Sequence, residues 1–154
     1  MNWAQLHLGF VHVPVVGAFF SLILFILALV YRADLIFRVA CGFTVFCAMA
    51  AAVSYFTGGE AFELMKDQLD TDVVEQHALV ARGAFLLYTL GGVGALVALL
   101  QELQEEPAAP ALRWALLGVN LVVFAVLLWA AHLGGLIRHP ELLPPVESIA
   151  TLFL

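Results

Sequence analysis

The chain has 154 residues, 64% of them hydrophobic and only 12% charged, with a mean hydropathy of +1.03. A soluble domain carries about twice that charged fraction, so the composition excludes an ordinary water-solvated domain and points to lipid as the solvent. The net charge of −6 comes largely from one acidic stretch; with no basic patch, nucleic acid is excluded as a partner.

Four apolar runs follow one another along the chain: Leu8 to Tyr31, Leu35 to Phe56, Ala78 to Leu100 and Leu112 to Leu133. Each is close to the roughly 20 residues that a helix needs to cross a bilayer. None shows strict period-2 alternation, and all are too long for a barrel strand, so helices must satisfy the backbone in lipid. The first run is too long for the apolar core of a signal peptide, and it lacks a positively charged leader and a clear small-residue cleavage site. The expected fold is all-α, an integral membrane four-helix up-down bundle with both termini on one side, here called the near side. Residues 1–139 form the transmembrane domain. Residues 140–154, broken by Pro140, Pro144 and Pro145, form an interfacial C-terminal tail too short to span.

The connections are expected at the Arg32-Asp34 turn, in an acidic loop of about twenty residues after Phe56, and in the polar linker Gln101 to Pro110. Arg32, Arg38 and Arg113 fall on the far side, against Lys66 and Arg138 on the near side. The positive-inside rule thus favours a cytoplasmic far side by about one charge, with periplasmic termini in a bacterial inner membrane. Cys41 and Cys47 match no zinc spacing, sit on different helix faces and read as packing residues. Gly91, Gly92 and Gly94 read as close helix contacts.

The informative residues are the polar ones at the near-side ends of the runs, because an ionisable group at membrane depth is costly and commonly faces the bundle interior. His7 and His12 open the first run. Thr57, Gly58, Gly59, Glu60 and Glu63 close the second, Glu75, His77 and Arg82 open the third, and His132, Arg138 and His139 close the fourth. Four helices can therefore offer one ligand each: His12, Glu60, His77 and His132. Pro14 fixes the backbone beside His12, and the paired glycines at Gly58-Gly59 and Gly134-Gly135 are expected to form turns where a cofactor approaches closely. His7 and His139 read at least as well as interfacial residues bonded to a carbonyl or water.

The string His7-Leu8-Gly9-Phe10-Val11-His12-Val13-Pro14, the Thr57-Gly58-Gly59-Glu60 segment, Glu75-Gln76-His77 and Gly134-Gly135-Leu136-Ile137-Arg138-His139 together resemble an uncharacterised family of bacterial four-span membrane proteins. The family pattern often has proline at position 8 and phenylalanine at position 13, where this chain has leucine and valine. Some relatives are joined to cytochrome c-like domains, and the resemblance therefore implies redox work.

Three functional expectations follow. The first is a b-type haem for electron transfer, with His12 and His77 as the axial pair from diagonal helices, His132 as the substitute, and Arg82 or Arg138 beside the propionates. The second is a transition-metal site for Zn, Fe or Cu built from His12, Glu60, His77 and His132, an enzyme if the metal is hydrated. The third is an accessory subunit whose near-side charges dock a periplasmic redox protein or a larger membrane complex; a homo-oligomer suits any of the three. No CxxCH string occurs, which excludes covalent haem, and the far-side halves of the helices lack a continuing polar path for transport.

Overall fold

The computed structural model describes residues 2–143, so most of the expected interfacial tail lies outside the described residues. Among those described, the chain is helical throughout. Helices α1 (Trp3–Phe10) and α2 (His12–Val30) make the first pass, α3 (Asp34–Met65) the second, α4 (Thr71–Leu103) the third and α5 (Pro110–Arg138) the fourth. All four passes are long and apolar enough to cross a membrane.

Local chemistry explains the boundaries. Asn2 and Gln5 close a reciprocal capping box at the start of α1, with Asn2 Oδ1 accepting from the Gln5 amide at 2.9 Å. The break at Val11 follows from Pro14, which has no N–H to give the carbonyl of Phe10. Val11 itself keeps helical dihedrals, so α1 and α2 run on as one pass. Asp70 caps α4 by accepting from the amides of Asp72 and Val73, and Pro110 occupies the first turn of α5.

Two expected boundaries are corrected. Gly58-Gly59 and Gly134-Gly135 are not turns: α3 runs past the first pair to Met65 and α5 past the second to Arg138, and no glycine has a positive φ. The acidic loop shrinks accordingly to a short connection holding a 3-10 turn at Lys66–Gln68, because α4 starts at Thr71, ahead of its apolar run. At 33 residues α4 is roughly 50 Å long against an apolar layer of about 30 Å, so its ends stand in water and carry charge.

The first pass packs on α3 and α5, and α4 packs on the same two helices, which makes the first pass and α4 diagonal in the bundle. The interior is built from small side chains. Ala18, Cys47, Ala84 and Val123 surround Tyr88 in one cluster, and Ala40, Cys41, Ala95 and Ala98 pack with Phe25 and Phe37 in the other. Both cysteines are free and buried. Bulky residues such as Phe46, Leu86, Leu90 and Trp129 point outward, the inversion expected when the surroundings are as apolar as the core. Glycines set the closest approaches: a Cβ at Gly92 would lie 2.7 Å from the Ala48 methyl, and one at Gly17 would collide with the Cys47 sulfur.

Gly92→Ala is therefore expected to destabilise the bundle by about 1–3 kcal/mol. Gly59→Ala, with open space around it, should leave stability unchanged or raise it by up to about 1 kcal/mol. Detergent unfolding followed by circular dichroism separates the two, and equal effects would contradict the glycine-spaced packing.

Candidate functional site

At the near end, one arrangement occurs twice. His7 on α1 donates its Nδ1–H to the backbone carbonyl of Ser54 on α3, at 2.8 Å. One turn further along α3, Gly58 offers no side chain, and a Cβ there would sit 3.2 Å from His7 Cε1. In the second hairpin, His77 on α4 donates Nδ1–H to the carbonyl of Ala130 on α5 at 2.9 Å, and a Cβ at Gly134, one turn on, would sit 3.4 Å from His77 Cε1, a looser fit than at Gly58. A helical carbonyl already accepts the amide one turn ahead, so a second donor must come in over that residue. Glycine there clears the path.

The chemistry fixes the tautomer. A carbonyl only accepts, so Nδ1 must carry the proton in both rings; in the neutral imidazole Nε2 then keeps its lone pair. Neither Nε2 has a hydrogen-bond partner among the described residues. Both rings are half-buried and stand on diagonal helices at the same end of the bundle. The Thr57 hydroxyl lies 3.4 Å from His7 Nδ1 while donating to the carbonyl of Val53, which places a second polar group against the first ring.

The other expected site residues fall elsewhere. His12, Glu60, Arg82, His132 and Arg138 are all exposed. The His132 ring tilts against Trp129, with centroids 5.5 Å apart, on the outer face of α5. Among the described residues no group of three or more His, Cys, Asp or Glu is placed to hold a metal ion, so His12, Glu60, His77 and His132 do not form the expected four-ligand set. They fail because helical periodicity turns them to different sides: only His77 faces a neighbouring helix at bonding distance. His139 pairs with Glu141 at 2.9 Å in solvent, and the Glu141 carboxyl is held below the usual range by its own backbone amide and then by that imidazole.

His7 is the residue that sequence reasoning undervalued. The signal for it was present in the two Gly-Gly pairs, each lying beside a helix that faces a histidine across its hairpin. The class this fold defines is a four-helix bundle with membrane-spanning helices and paired, carbonyl-anchored imidazoles at one end. No protein-family model, curated protein or solved structure matches the chain, so its short-motif resemblance to a four-span family reaches no further than that class.

The geometry predicts that long-range 1H–15N spectra of the detergent-solubilised protein show His7 and His77 as neutral rings protonated on Nδ1. An Nε2–H form at either would remove the carbonyl anchor.

Proposed function

We propose that this chain is a small electron-transfer protein of a bacterial inner membrane that binds b-type haem at its near end. His7 and His77 would hold it, in place of the His12 and His77 pair expected from sequence. One observation carries the reading: both rings are held through Nδ1–H on backbone carbonyls, the orientation that histidine ligands commonly take from their surroundings, leaving Nε2 free to bind iron. Bound haem would supply one-electron chemistry, its potential set by the two imidazoles and by burial.

The donor set fits the group. Two neutral imidazoles from diagonal helices bring no charge of their own, and Arg82 and Arg138, exposed and without a carboxylate partner among the described residues, are available to propionates. The protein's work is to orient the rings through Ser54 and Ala130 and to leave Gly58 and Gly134 bare beneath them. The resemblance to a family with cytochrome c-joined members agrees with redox work, and the one-charge excess of basic residues at the far end supports a periplasmic site, within reach of a periplasmic redox partner. The transition-metal reading is not carried forward, because its ligands do not gather.

Purification in mild detergent from haem-replete cells, with oxidised and dithionite-reduced spectra, tests this. The expected result is a sharp reduced alpha band, lost in His7→Ala and in His77→Ala and kept in His12→Ala and His132→Ala. A colourless, folded protein that takes up no added haemin would reduce the two histidines to structural clamps, and loss of the band in His12→Ala alone would overturn the axial pair.

A further inference from the structure

The end of the bundle away from the histidines carries a polar site of different chemistry. An open cleft of about 380 Å³ lies there, lined by Asp34 and Arg38 of α3, Glu102 of α4, and Glu105 and Pro107 of the following connection. Its charges are unequally occupied. Arg113 Nη2 bonds Asp34 at 2.8 Å and Glu102 at 2.5 Å, while its Nε donates to the Ala108 carbonyl. Glu102 is only 8% exposed and also accepts the Ala108 amide. Arg113 and Glu102 therefore answer each other.

Two groups remain. Arg38 forms no ion pair among the described residues, and its Nε is shut off from solvent without a hydrogen-bond partner. Glu105, held at a φ of 63°, is exposed at the rim, also without a cation among the described residues. A guanidinium that lines an open cleft without a carboxylate partner among the described residues is free to meet an acceptor from outside the chain. A simple anion would meet the carboxylates of Asp34, Glu102 and Glu105. A metal ion would meet two guanidinium groups, and no three-carboxylate group is placed for it. The complementary ligand carries both signs, an anionic group for Arg38 and a cationic donor for Glu105 and the outer oxygen of Asp34.

The cleft also has a membrane side. It opens where α3 starts and α4 ends, and Leu35 and Leu103, next along the chain from the lining residues Asp34 and Glu102, are 69% and 62% exposed. An arginine one turn inside a spanning helix lies near headgroup depth, where basic pockets between helices hold lipid phosphates. We propose that this cleft binds the headgroup of an amine-bearing phospholipid such as phosphatidylethanolamine, with the phosphate on Arg38, the ammonium on Glu105 and Asp34, and the acyl chains along Leu35 and Leu103.

Native mass spectrometry of the full chain, titrated with phosphatidylethanolamine, phosphatidylcholine and phosphatidylglycerol of identical acyl chains, tests the assignment. The ethanolamine lipid should be retained about tenfold more strongly than the other two, since choline cannot donate hydrogen bonds and glycerol has no cation. Arg38→Gln should weaken retention of all three lipids. Glu105→Gln, on an exposed connection where folding is not at stake, should remove only the preference for ethanolamine over glycerol. Equal retention of the three lipids, or an unchanged preference in Glu105→Gln, overturns the proposal. Binding of free O-phosphoethanolamine as tightly as the lipid overturns the membrane source of the ligand.

Discussion

An imidazole that donates to a carbonyl of a neighbouring helix constrains how the two helices meet, and here a glycine one turn ahead adjoins each ring. The near end of this bundle is organised by that constraint. In lipid the backbone must find its partners within the protein; here each imidazole takes a backbone carbonyl as acceptor, although in an unbroken helix every interior carbonyl already has one donor. A second donor is tolerated because the carbonyl has a second lone pair, and glycine gives the ring room to use it. Ser54 with Gly58, and Ala130 with Gly134, are two solutions of the same problem. Each ties the first helix of its hairpin to the second, which sets the register at which the rest of the small-residue interior packs.

That interior shows why the tie matters. Alanine, glycine and cysteine faces let helices approach closely but specify axial position weakly, since one small side chain resembles the next. Directional bonds at the ends supply what the middle lacks. The near end uses neutral imidazole–carbonyl bonds, and the far end uses Arg113, which gathers Asp34, Glu102 and the Ala108 carbonyl and lies 4.4 Å from the Phe37 ring centroid. Neutral bonds suit groups within the spans, where charge is costly. The ion pair suits a helix end, where solvent and headgroups relieve it.

Much of this was legible in the sequence. Four apolar runs of spanning length dictate four helices, and the small residues of α4 announce close packing, because both follow from composition alone. Helix ends were not legible, since Gly59 to Met65 and Thr71 to Gln76 carry the polar and charged residues of a connection and yet keep a helical backbone. The glycine pairs misled for the same reason: a turn and a bare helix face use the same residue. Ligand geometry was misread at His12 and His132 because position along the membrane normal says nothing about which side of a helix a residue faces. His7 was legible only jointly with Gly58, a relation between two helices that no single run displays.

The coupling of fold and site follows from the same bonds. The proton that ties His7 to Ser54 and His77 to Ala130 is also what commits each Nε2 to being the free, basic nitrogen. Folding and ligand readiness are thus one event: a hairpin that slips in register loses its carbonyl acceptor and with it the fixed direction of its ring. The reverse linkage also holds, since a group bound to both Nε2 atoms would join the two hairpins across the diagonal between the first pass and α4. Such a ligand would bind the folded state and not the unfolded chain, and would stabilise the bundle by an amount that grows with the logarithm of its affinity, a gain that matters most to a bundle specified weakly in its middle.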